Sequence, residues 1–174
     1  LGGAPEALAI GYLRNQRLVD SIEDIASVHV DWEVDAVAVT TRGGLVDLDE
    51  KTAKRTKTTG CGQGTVFGDL MDDIDAIRLP ADSTLARSTL YDLLDRVRLQ
   101  DTIYKQSGAI HGCGLATNAD GRSEILYFVE DVGRHNAVDA IAGMMWLDRV
   151  DGGDKVFYTT GRLTSEMVIK AAQM

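Results

Sequence analysis

The stretch EILYFVEDVGRHNAVDAIAGMMWL, residues 124–147, decides the fold class. Its opening residues, 124–129, are typical of a strand, and an amphipathic helix is predicted at 134–147. The side chains of this helix that should face the core are Val138, Ile141, Ala142 and Met145. A further strand, at 155–159, and a further helix, at 163–174, follow. This alternation predicts an α/β fold with a right-handed crossover and parallel neighbouring strands.

More elements are predicted upstream and at the end of the chain. Residues 111–117 should form a strand that a turn at 118–121 joins to the next one. After Pro80, Ser83 or Thr84 can cap a long helix. The apolar stripe of that helix comprises Leu90, Leu93, Leu94 and Val97, and the final helix should bury Leu163, Met167, Ala171 and Met174. Because no Gly or Pro stop follows the final helix, we expect the natural sequence to continue beyond it.

The first half predicts a smaller N-terminal α+β lobe. Pro5 suits the first turn of a helix at 6–14, and strands are expected at 27–32, half-buried, and at 34–40, buried. A glycine turn should then make a hairpin into residues 45–48. The side chains predicted to face inward are Leu8, Ala9 and Leu13 in the helix and Val28, Val30 and Trp32 in the first strand.

A glycine-rich loop with one cysteine lies in this lobe, which we place at residues 1–80, before an α/β core at 81–174. Basic side chains at 51–57 precede the loop, at 59–65, in which three glycines surround Cys61. A thiol in such a loop is accessible, and nearby cations favour its thiolate, so Cys61 is a candidate nucleophile or sulfur carrier. The alternative is an incidental surface cysteine that follows a solvated charge run.

Composition excludes several classes of protein. The 174 residues carry 18 basic and 27 acidic side chains, and the net charge of −9 argues against a dedicated nucleic-acid binder. Since no apolar run approaches the ~20 residues of a membrane span, no membrane association is expected. The two cysteines, far apart, do not make a secreted disulfide framework, so a cytoplasmic location is expected. Cys113 lies in an apolar segment and should be buried and inert.

Two strand-to-helix junctions, at 130–136 and 159–166, each place Gly-Arg where a strand gives way to a helix. Helix N-termini attract phosphate or carboxylate, and arginine adds a bidentate fork. If the strands are neighbours, both junctions line one crevice at the carboxyl edge of the sheet. The alternative is that Asp131 and Thr160 cap the helices while the arginines contact solvent or form salt bridges. The candidate ligand-binding residues are Asp131, Gly133, Arg134, His135, Asn136, Thr160, Gly161, Arg162, Ser165 and Glu166.

His135 and the small-residue segment at 108–114 also have two interpretations each. A lone histidine at a helix start is more often a cap or a packed side chain than a ligand. A catalytic zinc site would need more soft ligands than the second junction offers, so no zinc is expected. The segment at 108–114, which includes Gly108 and His111, permits either close approach of a ligand or tight packing of sheet against helix. Packing is the safer interpretation.

The junctions, with further segments, resemble the FdhD family of formate dehydrogenase accessory sulfurtransferases. The resemblance implies a cytidine deaminase-like, three-layer α/β/α core. In that fold, residues 134–136 would stand where a deaminase keeps its first zinc ligand, and residues 161–166 where it has paired cysteines. The segments that carry the resemblance are EDVGRHNAVD (130–139), TGR (160–162), SEMVIKAA (165–172), EALAIGYL (6–13) and SGAIHGCGL (107–115).

The family's activity implies a function for this chain. It would take persulfide sulfur from a cysteine desulfurase and pass it to the molybdenum bis(molybdopterin guanine dinucleotide) cofactor, which formate dehydrogenase then receives. Cys61 would carry the sulfur. The junction residues, together with Gly108 and His111, would bind the cofactor, whose phosphates GDP mimics, without zinc. A homodimer is a further expectation.

The loop departs from the family pattern Cys-Gly-x-Cys-Gly, since here it is Cys61-Gly62-Gln63-Gly64-Thr65. Loss of the second cysteine excludes a two-cysteine relay, although a single persulfide suffices for sulfur transfer. One alternative is therefore a non-catalytic chaperone that delivers the cofactor, and another is a nucleoside deaminase, which would bind zinc. Family members also have sequence before residue 1 and after residue 174, so part of the site is expected to be missing.

Overall fold

The structure, a computed structural model, describes residues 3–45, 77–119 and 121–174, with the backbone of two short strands between the first two ranges. The helices are α1 (Pro5–Asn15), α2 (Arg87–Leu99), α3 (Ile103–Ser107), α4 (Arg134–Leu147) and α5 (Ser165–Ala172). The strands are β1 (Ile25–Asp31), β2 (Ala36–Thr41), β3 (Thr56–Lys57), β4 (Gly64–Thr65), β5 (His111–Thr117), β6 (Ile125–Asp131) and β7 (Lys155–Thr159). The mixed α/β class is confirmed. None of the described helices is long and apolar enough to cross a membrane.

The main sheet has the strand order β6-β5-β7, and both of its pairs are antiparallel. The prediction of parallel neighbours is wrong, because β5 and β6 form a hairpin and β7 pairs with the other edge of β5. Since β6 and β7 both oppose β5, they run in the same direction, and α4 connects them across one intervening strand. The carboxyl ends of β6 and β7 therefore lie at the same sheet edge as the start of β5.

The main core lies between this sheet and α4. The four side chains predicted to face inward from α4 are all fully buried, which confirms the periodicity of that helix. Met167 of α5 belongs to the same buried cluster. The buried residues of this cluster are Cys113, Leu115, Ala137, Val138, Ile141, Met145 and Met167.

Helix α1 crosses α4 at two glycines. A Cβ atom at Gly11 would lie 1.7 Å from the carbonyl oxygen of Asp139, and one at Gly143 would lie 1.9 Å from that of Ala7. The two backbones therefore touch, which no larger residue would allow. The predicted stripe of α1 (Leu8, Ala9, Leu13) is wrong, because this glycine contact instead buries Ala7, Ile10, Gly11 and Asn15. The first helix of the proposed lobe thus packs on the proposed core, and the division at residue 80 stays a prediction.

Strands β1 and β2 form an antiparallel hairpin. Val28 and Val30 are half-buried as expected, but Trp32 lies in the turn and is 69% exposed. The prediction of a buried second strand is wrong, because alternate residues of β2 are exposed and the others are only half-buried. The predicted strand at 45–48 lies, apart from Leu45, outside the described residues.

The buried faces of α2 and α5 differ from those predicted, because polar contacts determine which side of each helix faces the core. Helix α2 begins at Arg87, beyond the proposed Ser83 and Thr84 caps. Its Thr89 hydroxyl donates to the Ala119 carbonyl oxygen at 2.9 Å, which buries Thr89 and Leu93 and leaves Leu90 and Leu94 exposed. In α5, Leu163 precedes the helix and is 70% exposed, while the buried residues are Glu166, Met167, Ile169 and Lys170.

Candidate functional site

The two junctions meet at one edge of the main sheet, although their strands are not neighbours. Strand β6 ends at Asp131, which pairs with His111 at the start of β5. Strand β7 ends at Thr159, which pairs with Cys113 on the other side of β5. Helices α4 and α5 begin a few residues after the ends of β6 and β7, so the N-termini of both helices lie at the same edge of the sheet.

Asp131 organises the first junction. Its Oδ1 accepts hydrogen bonds from the Gly133 backbone N–H at 2.8 Å and from Asn136 Nδ2 at 2.9 Å. Asp131 does not cap α4, whose N-cap residue is Gly133 and which has no side-chain cap bond. The buried carboxylate therefore fixes the backbone that leads into α4.

Hydroxyl groups organise the second junction. The Thr160 N–H donates to the Gly112 carbonyl oxygen and Thr160 Oγ1 accepts from the Gly112 N–H, both at 2.9 Å. The β5–β7 pairing thus continues one residue past the strand, and Thr160, like Asp131, does not cap a helix. A Cβ atom at Gly161 would lie 3.0 Å from Arg134 Cδ. Glycine at this position therefore leaves room for the Arg134 side chain, which is buried between the two junctions.

Below the junctions, five buried side chains form a polar network that links α1, α4 and α5. Asn15 Nδ2 donates to Asp139 Oδ1 at 2.7 Å, and Lys170 Nζ donates to Asp139 Oδ2 at 2.8 Å. Lys170 Nζ also lies 3.6 Å from Glu166 Oε1, and Glu166 Oε2 lies 3.3 Å from His135 Nε2. Hydrogen bonds therefore join Asn15, Asp139 and Lys170, whereas His135 Nε2 and Glu166 Oε1 are buried without a hydrogen-bond partner among the described residues.

Burial and neighbouring charges shift the protonation of this network. Burial, followed by the charges of Lys170, Arg134 and His111, lowers the pKa of His135 to about 4. The imidazole is therefore neutral near pH 7. Burial raises the pKa of Glu166, and the Lys170 charge opposes that rise. Burial likewise raises the pKa of Asp139, opposed by Lys170 and by the Asn15 hydrogen bond.

The positions of the other predicted site residues give less indication of a ligand-binding role. Arg162 and Ser165 are exposed at the second junction, and His111 is half-buried at the start of β5. Gly108 ends α3 with a φ of 65°, a left-handed conformation that explains the glycine without any ligand. Cys61 lies between β3 and β4, outside the described residues.

Cys113 lies in the core directly beneath the junctions and is fully buried, as predicted. Its Sγ donates to Thr159 Oγ1 at 3.3 Å. Burial raises the pKa of this thiol to about 11, so it stays protonated and unreactive at neutral pH. On the opposite face of β5, Cβ atoms at Gly112 and Gly114 would lie 2.9 and 3.3 Å from the Phe128 ring, so these glycines make room for a side chain of the neighbouring strand β6 rather than for a helix.

Three members of the network, Asn15, Asp139 and Lys170, were not predicted as site residues. The available signal was spacing, since Asp139 follows His135 by four residues and Lys170 follows Glu166 by four. Such pairs are common on solvated helix faces, so spacing alone does not indicate burial. Among the described residues, no group of three or more His, Cys, Asp or Glu side chains could hold a metal ion.

Comparison with protein families shows which family the sequence matches. The model described as FdhD/NarQ family matches residues 1–174. A chain titled as a putative formate dehydrogenase accessory protein from Desulfotalea psychrophila superimposes with a TM-score of 0.66 at 26% sequence identity. This superposition covers 97% of the present chain and 60% of that one.

Similar sequences carry a common name, sulfur carrier protein FdhD. The protein from Wolinella succinogenes is 28% identical over 166 residues, which cover 95% of this chain and 56% of that protein. The protein from Staphylococcus haemolyticus is 28% identical, and that from Staphylococcus aureus strain MRSA252 is 29% identical. Both alignments cover 97% of this chain and 62% of the relative. The chain therefore spans between 56% and 62% of the length of these relatives.

Proposed function

Because the chain belongs to the FdhD/NarQ family, we propose that it is a sulfur carrier required for formate dehydrogenase activity. In this role it takes persulfide sulfur from a cysteine desulfurase and passes it to the molybdenum bis(molybdopterin guanine dinucleotide) cofactor, its substrate. The relatives named sulfur carrier proteins and the structural neighbour titled a formate dehydrogenase accessory protein support this role.

The observation that carries the proposal is the meeting of two helix N-termini at one sheet edge. The first backbone N–H groups of a helix have no intrahelical acceptor and attract anions. Neither N-cap residue, Gly133 in α4 or Thr164 in α5, forms a side-chain cap bond. Arg134 lies between the junctions, and Arg162 is exposed beside them. This concentration of positive potential suits the phosphates of a guanine dinucleotide.

The sulfur step requires one reactive thiol, and we assign it to Cys61. The Cys61 thiolate attacks the terminal sulfur of the desulfurase persulfide, forms a new S–S bond and releases the desulfurase thiolate. The S–S bond on Cys61 then breaks with the Cys61 thiolate as leaving group, and the sulfane sulfur passes to the cofactor, which would have to be in a reduced state to supply the two electrons that convert this sulfur to a sulfide ligand. Cys113 is a poor alternative, because its buried thiol, with a pKa of about 11, supplies almost no thiolate.

Mass spectrometry tests the sulfur step directly. After incubation of the full chain with a cysteine desulfurase and cysteine, we expect a mass increase of one sulfur atom on the peptide that carries Cys61. The peptide that carries Cys113 should stay unmodified and serves as the internal control. A Cys61 peptide without the added sulfur, from a reaction in which the desulfurase itself is persulfidated, would contradict the proposal.

A second candidate function is a cofactor chaperone that binds the guanine dinucleotide without sulfur chemistry. The observation that favours it is the loop Cys61-Gly62-Gln63-Gly64, which lacks the second cysteine of the family pattern. The described part of the site also includes two helix N-termini and two arginines, which suit phosphate groups. The two functions differ in one outcome, since a chaperone delivers an active cofactor when Cys61 is replaced and a carrier does not.

Nucleotide binding tests the crevice that both functions require. We expect Arg134→Ala and Arg162→Ala each to weaken GDP binding roughly 10- to 100-fold, the effect of losing a charge-assisted hydrogen bond to phosphate. Isothermal titration calorimetry of the full chain provides the measurement. Arg98→Ala, which removes an exposed arginine of α2, is the matched control and should bind GDP as the unaltered chain does. Equal affinities in all four proteins would show that GDP does not bind at the junctions.

A further inference from the structure

The turn of the first hairpin, residues 32–35, exposes two large apolar side chains. Strand β1 ends at Asp31 and β2 begins at Ala36, and these two residues pair, so the four residues Trp-Glu-Val-Asp between them make the turn. Trp32 and Val34 are each 69% exposed. Hairpin turns usually consist of glycine and small polar residues, so turn formation does not explain a tryptophan and a valine at these positions.

An apolar cleft with a volume of about 330 Å³ lies beside this turn. Helix α1 and strands β1 and β2 all contribute to it, so its walls come from three elements rather than from the turn alone. Its volume is near the lower limit of small-molecule pockets, about 300 Å³, and suits one long side chain rather than a large cofactor. The apolar residues that line the cleft are Pro5, Val30, Trp32, Ala36 and Val37, and the acidic ones are Asp31 and Asp35.

Acidic side chains give this cleft a negatively charged rim. Asp31 and Asp35 line it, and Glu33 lies between them in the turn. Asp31 Oδ1 accepts a hydrogen bond from the Glu33 backbone N–H at 2.9 Å, which fixes the carboxylate at the base of the turn. No lysine or arginine of the described residues forms an ion pair with any of the three carboxylates. The rim therefore attracts cations and repels the phosphates of nucleic acid or of an anionic lipid surface.

We propose that this cleft is a docking site for a lysine or arginine side chain in a basic segment of a protein partner. The aliphatic stem of such a side chain can lie along the apolar walls while its charged head reaches the carboxylates of the rim. The exposed Trp32 ring adds a face on which the cation can stack. Tryptophan is also enriched among the residues that dominate the binding energy of protein interfaces. None of the cleft residues belongs to the two junctions or to the loop of Cys61, so the docking site does not depend on the proposed function.

NMR of the two tryptophan indole N–H groups tests the docking site directly. The probe is a short acetylated and amidated peptide that alternates arginine with leucine, added to the full chain. We expect the Trp32 signal, assigned with a Trp32→Phe variant, to shift in a saturable manner. The Trp146 signal, which comes from α4 outside the cleft, should not move and is the internal control. A stationary Trp32 signal, or equal shifts of both signals, would contradict the proposal.

Charge-matched variants separate the cleft from the overall charge of −9. Asp31→Asn/Asp35→Asn removes the two charges that line the cleft, and asparagine suits the left-handed backbone of residue 35, whose φ is 52°. The affinity for the labelled peptide, measured by fluorescence anisotropy, should fall roughly three- to tenfold, the effect of losing two surface charge pairs. Asp95→Asn/Asp101→Asn removes the same charge from exposed positions elsewhere and should bind the peptide as the unaltered chain does. Equal losses in the two double variants would show only a general attraction to an acidic chain and would overturn the proposal.

The apolar wall of the cleft is tested separately. Trp32→Ala removes its largest side chain and should weaken peptide binding at least about fivefold, as the loss of a tryptophan anchor does. Leu99→Ala, which truncates a side chain that is 84% exposed on α2, is the matched control and should leave the affinity unchanged. A peptide with glutamate in place of arginine should not bind. Unchanged affinity in Trp32→Ala, or equal binding of the glutamate peptide, would show that the cleft does not receive a basic side chain.

Discussion

Replacing Cys61 with alanine is expected to abolish sulfur delivery and to reduce formate dehydrogenase activity to that of cells without the carrier. Alanine removes the thiolate that must attack the desulfurase persulfide, and no second cysteine follows in the loop. Cys113 cannot substitute, since its thiol is fully buried and its pKa is raised to about 11. The measurement is formate dehydrogenase activity in a bacterial strain that lacks its own family member and expresses this chain or its variants.

Cys113→Ala is the matched control for this experiment, because it also removes one thiol but leaves the loop unchanged. We expect this variant to support activity close to that of the unaltered chain, with a modest loss of stability from the smaller core side chain. Full activity in Cys61→Ala would refute the sulfur-carrier mechanism and favour the chaperone. Loss of activity in Cys113→Ala, with the protein still folded, would show that the buried thiol takes part.

The parts of the fold that local patterns determine were predictable. Helix α4 has its apolar side chains at helical spacing, and each of those predicted to be buried is buried. The order of strands in the main sheet was not predictable in the same way, because pairing depends on residues far apart in sequence. A hairpin between β5 and β6 leaves β5 in the centre, and the two parallel strands end up on either side of it.

The predictions of which faces of α1 and α5 are buried were wrong for a different reason. In α1 the contact with α4 is made by Gly11 rather than by the larger leucines, since backbone approach decides the geometry. In α5 the buried face includes Glu166 and Lys170, and Lys170 forms a buried ion pair with Asp139 of α4. The spacing of apolar residues cannot predict a buried helix face that is determined by a glycine contact or by buried charge pairs.

Of the candidate site, likewise, only one part could be predicted from the sequence. The Gly-Arg junctions were recognised from the sequence because glycine and arginine at a helix start have a local physical meaning. The network of Asn15, Asp139 and Lys170 was missed, since its members come from three helices and only the tertiary fold brings them together. The position of Cys61 relative to the crevice stays a prediction.

Gly143→Ala should destabilise the protein by about 3 kcal/mol, even though alanine favours a helix over glycine by about 1 kcal/mol. The new Cβ atom would lie 1.9 Å from the Ala7 carbonyl oxygen, a backbone atom that cannot rotate away. Helix α1 must therefore move off α4 and lose the packing of Ala7 and Ile10. Thermal unfolding should show a fall in Tm of roughly 6 to 12 °C.

Gly11→Ala offers a test of the same crossing from the opposite side, because its Cβ atom would meet the Asp139 carbonyl oxygen at 1.7 Å. A comparable loss of stability is expected, together with disturbance of the Asn15–Asp139 hydrogen bond. Asp95→Ala, in the exposed face of α2, is the control and should change the free energy of unfolding by less than about 0.5 kcal/mol. If both glycine variants were instead more stable than the unaltered chain, helix propensity would outweigh the steric contact. The close backbone approach of α1 and α4 would then be contradicted. Destabilisation of both variants, with Asp95→Ala unchanged, would assign the loss to the crossing itself, since helix propensity acts in the opposite direction at Gly11 and Gly143.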